Sequence, residues 1–388
     1  MNKKNRKLRM GMIGGSLDAF IGGVHRKAAA LDGQIELVCG AFSSNPQKSK
    51  ETGEALFIDS SRVYGSFEEM INKEKALPES VRMDFVAIVT PNHMHYAPAK
   101  LALENGFHVI IDKPLAFSVA EAKSLQKLVH KSGLVLALTH TYTGYPMVKE
   151  ARSIVKSGKL GKIRKVFVEY PQGWLATNLE QSGQKQASWR TDPKRSGLGG
   201  AIGDIGTHAA NLAEYILDDG IAEICAELNT VVKGRLLDDD SAMLLRFAKG
   251  ASGVLIATQV AAGVENNLNI KVYGEKGGLE WRQEEPNSLV LRMIDEPMQV
   301  YRAGTGYLSQ VAKDNSRTPS GHPEGYLEAF ANLYKNFANA VRAWKPGKKI
   351  DPVKFDFPDV DDGVRGMAFV ETVVKSAKSK SKWTKFRY

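Results

Sequence analysis

Cysteine is scarce, with two in 388 residues, which argues against a disulfide-stapled fold. Cys39 and Cys225 each fall in an apolar, strand-like run and read as free core thiols of a reducing compartment. Long apolar runs are missing too, and none approaches the length that spans a bilayer, so no membrane partner is expected. The basic stretch from Met1 to Met10 lacks the apolar core and small-residue cleavage site of a secretory signal; the cytoplasm is the expected location. Acidic residues are outnumbered, 43 Asp and Glu against 53 Lys and Arg, for a formal net charge of +10. Much of that excess lies at the ends, in Lys3, Lys4, Arg6 and Lys7 and in Lys375, Lys378, Lys380 and Lys382. No recognisable nucleic-acid module interleaves aromatics with these charges. They read as solvated termini, and no nucleic-acid partner is expected.

What is present is an ordinary globular composition, 43% hydrophobic and 25% charged, in a chain long enough for two domains. Up to about residue 145, short apolar runs at 8–13, 35–42, 84–89, 107–111 and 134–138 alternate with helical patterns at 24–31, from Pro46, at 94–105 and at 118–131. That alternation implies βαβ units and a parallel sheet covered on both faces. After a helix at 146–157, strand-like segments dominate: 163–170, 223–233, 241–248, 252–261, 267–273, 278–283, 288–293 and 298–302. Short turns between them suggest an antiparallel sheet. Helices at 325–344 and 362–377 close the chain, and 303–324 reads as a surface loop. The expected fold class is α/β: a doubly wound Rossmann sheet over 1–145, then an α/β domain over 146–388 with a large, open, mostly antiparallel sheet.

The first strand runs into a glycine-rich turn, from Gly11 to His25. Such a turn brings backbone N–H groups to a pyrophosphate, although it can also be purely structural. Gly14 fits the first glycine of the dinucleotide fingerprint, Ser16 stands at the second, and the third is displaced to about Gly22. Gly14, Gly15, Ser16, Phe20 and Ile21 are the candidate cofactor contacts there. No carboxylate follows the second strand to meet a ribose 2′-hydroxyl. Ser43, Ser44 and Lys48 stand there instead, so NADP is permitted beside NAD. The same residues also suit a polar helix start with Ser44 or Asn45 as N-cap.

Three further segments carry chemistry: Thr90-Pro91-Asn92-His93-Met94-His95, then His108 to Pro114 with Asp112 and Lys113, then Gly199 to His208 with Asp204 and His208. At these residues the chain strongly resembles the Gfo/Idh/MocA oxidoreductases over nearly its whole length. The resemblance implies a Rossmann domain followed by a domain with an open, largely antiparallel sheet, and a dimer or tetramer. It matches Lys113, Asp204 and His208 to the catalytic lysine, aspartate and histidine, with a cis peptide at Lys113-Pro114. It lays Thr90, Pro91, Asn92 and His95 along the nicotinamide and its ribose, with Asp112 where the family usually has glutamate.

The residues suit those roles. Pro114 restricts Lys113 to an extended conformation. Asp204 and His208 share one face if their segment is helical, which puts a carboxylate beside an imidazole. His208 would then exchange the hydroxyl proton, Asp204 would orient it, and Lys113 would stabilise the developing alkoxide. Plainer readings are a solvated lysine, a capped helix, or a metal held by His93, His95 and His208. Tyr142, Trp174, Trp189 and Arg190 offer aromatic faces and charge for a sugar or polyol substrate, with ordinary packing the plainer reading, above all for Trp174; the resemblance implies that 189–193 lies beside the substrate. Two other functions fit the same residues: a glycosidase using transient NAD redox chemistry, and a non-catalytic dinucleotide sensor.

Overall fold

Strands that are apolar on both faces need cover on both, and the first third of the chain builds that arrangement. The computed structural model describes residues 6–348 and 350–388. Lys3 and Lys4, expected as solvated charges, lie outside them. The chain divides into two compact units: Met1–Thr141 with Phe330–Val364, and Tyr142–Ala329 with Arg365–Tyr388.

In the first unit, strands β1 (Leu8–Gly14), β2 (Ile35–Ala41), β3 (Phe85–Val89), β4 (His108–Ile111) and β5 (Leu136–Leu138) form a parallel sheet in the order β2-β1-β3-β4-β5. Helices α1 (Phe20–Leu31), α2 (Pro46–Ala55), α3 (Phe67–Ala76), α4 (Tyr96–Glu104) and α5 (Val119–Ser132) connect them. Every residue of β3 and β4 is buried, as a doubly covered parallel sheet requires. Helix α1 begins four residues before the expected position, carrying Gly22 and Gly23 in its first turns. The sequence pattern passed over α3, although Ser66 caps it by accepting from the Glu69 N–H, and Glu69 reaches back to accept from the Gly65 N–H.

The second unit is mostly antiparallel. It contains α6 (Pro146–Lys156), β6 (Ile163–Pro171), the short α7 (Lys185–Arg190) and α8 (Pro193–Ser196), and α9 (Thr207–Leu217). There follow β7 (Ile221–Asn229), β8 (Asp240–Phe247), β9 (Ser252–Thr258), β10 (Asn269–Gly274), β11 (Gly277–Arg282), β12 (Ser288–Met293), β13 (Gln299–Arg302) and α10 (Gln310–Asp314). The later elements are α11 (Tyr326–Ala343), α12 (Pro352–Phe355), α13 (Val360–Lys378) and β14 (Thr384–Lys385). Nine strands pair in the order β13-β12-β11-β10-β6-β9-β8-β7-β14, and only β6 and β9 run parallel among them. Burial alternates along β8, the mark of a sheet with one packed and one open face. Met243 and Leu245 join a core with Val148, Leu212, Ile216 and Phe369, while Leu244 stays 43% exposed.

Three expectations need correction. Residues 330–364 join the first unit, where a division at 145/146 assigns them to the second: Phe330 packs on His25 and Phe337 on Phe85, with ring centroids 4.7 and 5.0 Å apart. The expected surface loop at 303–324 contains α10 and buries Leu308 and Ala312. Cys39 is a free, buried thiol as expected, but Cys225, on β7, is only half-buried.

Candidate active site

Ligands of an open parallel sheet meet the carboxyl ends of its strands, at the point where strand order reverses. In the first unit that point follows β1, and Gly14 and Gly15 stand there at φ +80° and +74°, conformations that favour glycine. A Cβ on Gly22 would lie 2.4 Å from the Gly15 Cα, so Gly22 is the displaced third glycine that lets helix α1 close on the turn. No side chain caps α1 at Ala19, which leaves the helix start to an anion. These features fit the pyrophosphate of NAD. Ser16 is buried and donates to Asp18 at 2.6 Å, while Phe20 is 72% exposed and Ile21 half-buried.

After β2, Asn45 is the N-cap of α2, accepting from the Lys48 N–H. Ser43 accepts from the Asn45 N–H, and Ser44 is exposed. The Lys48 ammonium lies 2.6 Å from the Asp18 carboxylate. Lys48 is therefore not the uncommitted phosphate acceptor that its sequence position suggested.

After β3, Thr90 donates to the Met94 carbonyl, and a 3-10 turn runs through Asn92–Met94, with Pro91 and Asn92 half-buried and His93 exposed. His95 is buried. Its two ring nitrogens face the carbonyl oxygens of Pro114 and Thr90, at 2.5 and 2.8 Å. Burial lowers its pKa and the carbonyl contacts act the other way. The ring thus ties the turn after β3 to the turn after β4, instead of presenting a nitrogen to a ligand. Asp112 likewise holds backbone, accepting from Lys113 N–H and the Thr139 hydroxyl at 3.0 and 2.7 Å. The Lys113-Pro114 peptide is cis, as the resemblance implied. His140, just after β5, was overlooked: burial, then the charge of Lys113, push it down to about 3, so a neutral imidazole accompanies the lysine.

In the second unit, residues Ile202–Gly206 form a π-helical turn that leads into α9. Single π turns often stand at functional sites, because the widened turn re-aims its side chains. Asp238 fixes its start: its carboxylate accepts from Gly200 and Ile202 N–H at 2.7 and 2.8 Å. A Cβ on Gly200 would come within 2.0 Å of the Asp238 carbonyl oxygen. The Asp204 carboxylate accepts from Arg190 Nε at 3.1 Å and from Gln259 Nε2 at 2.9 Å. Arg190 in turn lies over the Trp189 ring at 4.3 Å and the Trp174 ring at 5.9 Å.

His208 is almost buried and meets the ring of Tyr142 edge-on, with centroids 4.9 Å apart. The Tyr142 hydroxyl is bonded to that of Tyr170, and Tyr170 donates to Asn266 at 2.8 Å. Gln172 extends the chain, donating to Asn266 at 2.6 Å and accepting from Trp174 Nε1 and Gln259. Burial raises the pKa of both tyrosines, so their hydroxyls stay protonated. Arg190 and Tyr142, both expected at the substrate, lie against Asp204 and His208 respectively. Among the described residues no group of three or more His, Cys, Asp or Glu is placed to hold a metal ion.

Residues 8–142 match an oxidoreductase family with an NAD-binding Rossmann fold, and residues 148–280 match the GFO/IDH/MocA C-terminal domain. The chain belongs to the Gfo/Idh/MocA oxidoreductase family. An oxidoreductase from Sinorhizobium meliloti is similar at 44% identity, covering 98% of this chain and 100% of its own, with a TM-score of 0.87. An inositol dehydrogenase homolog from Azotobacter vinelandii, in complex with NAD+, is 34% identical over 98% of each chain, with a TM-score of 0.91. A structure of an inositol dehydrogenase homolog from that organism with NADH and myo-inositol is 32% identical over 99% of each chain, at 0.89. As a Gfo/Idh/MocA oxidoreductase, the chain carries NAD on its first unit, whose glycine turn has the geometry just described.

Proposed function

We propose that the protein transfers a hydride between NAD and a carbinol carbon of a sugar, glycoside or inositol-like polyol. The observation that carries this reading is Asp204, held by two donors on a π turn four residues before His208. It is a fixed carboxylate four residues before an imidazole that protonated phenols flank. The bound nicotinamide supplies the hydride acceptor. His208 takes the hydroxyl proton on a ring nitrogen as the carbinol is oxidised, and returns it in the reverse direction. Asp204 orients the imidazole and stabilises its protonated form. The Lys113 ammonium hydrogen-bonds the reacting oxygen and offsets the developing alkoxide charge. Trp189 and Trp174 offer aromatic faces to the C–H faces of a polyol. The myo-inositol complex of the Azotobacter relative supports that class of substrate.

The open face of the nine-stranded sheet, with Leu244, Tyr273 and Val300 between 42% and 46% exposed, suits a homodimer or homotetramer. Among the described residues no helix is long and apolar enough to cross a membrane; a cytoplasmic enzyme agrees with that. The test is a panel of polyols and sugars, beginning with myo-inositol, followed by NADH fluorescence. Net NADH production from at least one of them is expected. Tight NAD binding without turnover on any alcohol favours the sensor reading, and glycoside cleavage without net NADH favours the redox glycosidase.

A further inference from the structure

The dinucleotide fingerprint normally tells NAD from NADP through an acidic residue at the end of the second strand. That position is empty of carboxylates here, where Ser43, Ser44 and Lys48 stand. A carboxylate arrives from elsewhere. Asp18 belongs to the glycine turn after β1, and its two oxygens are separately engaged. One accepts from the buried Ser16 hydroxyl and the other from the Lys48 ammonium, each at 2.6 Å. The pair thus bridges the turn after β1 and the first turn of α2. A Rossmann sheet receives the adenosine ribose beside these two turns.

We propose that Asp18 is a specificity-determining residue, which gives this chain a preference for NAD over NADP. A ribose 2′-hydroxyl is neutral and can donate to a carboxylate. A 2′-phosphate carries about two negative charges and only accepts. It meets the Asp18 charge and finds Lys48, the nearest sequence candidate to bind it, already neutralised. Ser16 fixes the carboxylate from the buried side, so it does not swing away without losing that bond. Selectivity here arises from repulsion as much as from attraction. The Asp18–Lys48 pair is nearly half exposed, so the effect is screened by salt.

The experiment titrates the purified full chain with NADH and, separately, NADPH by fluorescence, reading the ratio of their Kd values. The wild-type protein is expected to bind NADH more tightly. Asp18→Asn keeps an acceptor for Ser16 and removes the charge. It should narrow the ratio on the order of ten-fold, mainly by tightening NADPH, and less so at high salt. Lys48→Met leaves Asp18 uncompensated and should widen the ratio. Equal wild-type affinities, or an unchanged ratio in Asp18→Asn, overturn the proposal. If Asp18→Asn binds neither dinucleotide, Lys48→Met decides: a wider ratio supports the role of Asp18 and an unchanged or narrower one sinks it.

Discussion

In the first unit the residues of interest stand one by one at the ends of parallel strands, and most of their work is done by backbone. Gly14 and Gly15 turn, Gly22 admits a close helix, and His95 and Asp112 tie one turn to the next. In the second unit Asp204 stands on a widened turn and His208 on the first turn of α9 that follows it. Their surroundings come from side chains far away in sequence: Arg190 fourteen residues before Asp204, and Gln259 fifty-five after it. One half of the chemistry is positioned by topology, the other by a hydrogen-bonded network. The two halves should therefore fail differently. Damage to the first should appear in dinucleotide binding or in the placement of one charge, and damage to the network in turnover with binding intact.

The strongest blow to this contrast comes from His208→Ala. Loss of a positioned acid–base group costs about 10²–10⁴-fold, and single-turnover hydride transfer should fall by that much while NADH affinity holds. A variant with normal turnover returns His208 to packing. Lys113→Met removes the charge and all three donors of the lysine. The chemical step should slow on the order of 10²–10³-fold, as for a lost oxyanion donor, again with little change in dinucleotide titration. Normal single-turnover rates would dismiss the alkoxide role.

Gln259→Leu keeps the volume and removes one of the two donors to Asp204, so kcat should drop about ten-fold, in keeping with one lost hydrogen bond to a charged group. KM should barely move. A residue that only packs would leave kcat alone, and that result would break the network account. The smallest effect concerns acid. Burial holds His25 down at about 4, against an ordinary value of 6.5. The unfolded chain therefore binds a proton that the folded chain refuses between those pH values, and stability falls as pH drops from about 6.5 towards 4. His25→Asn should flatten the pH dependence of the urea-unfolding free energy across that window by up to ~1.4 kcal/mol per pH unit; an unchanged slope would show that other groups govern acid lability.

The same contrast explains what was legible in the sequence. A βαβ alternation fixes where strand ends fall, so the sequence puts Lys113, Thr90 and the glycine turn just after strands, as the structure does, and the Asp204–His208 spacing is visible within one segment. The partners are not. Nothing in the run from Trp189 to Pro193 says that Arg190 reaches Asp204, because that contact depends on α7 standing beside a turn reached only through a tertiary fold. Gln259 is a lone polar residue after an apolar strand, and Asp18 looks like a loop residue until Lys48 is brought to it. His140 had a weak signal: it follows a buried strand directly, where parallel sheets put ligand-facing side chains. Residues 330–364 were misassigned because an amphipathic helix advertises that it packs, not against what.

That returning segment has a consequence for how the protein is made. Phe330, Tyr334 and Phe337 complete a core whose strands end at Leu138, so the ribosome must finish residues 142–329 before the first unit can close. At the usual 5–20 residues per second, that wait is on the order of 10–40 s. During it, the apolar surface that α11 later covers stays open to solvent, the exposure that makes a half-made domain prone to aggregate.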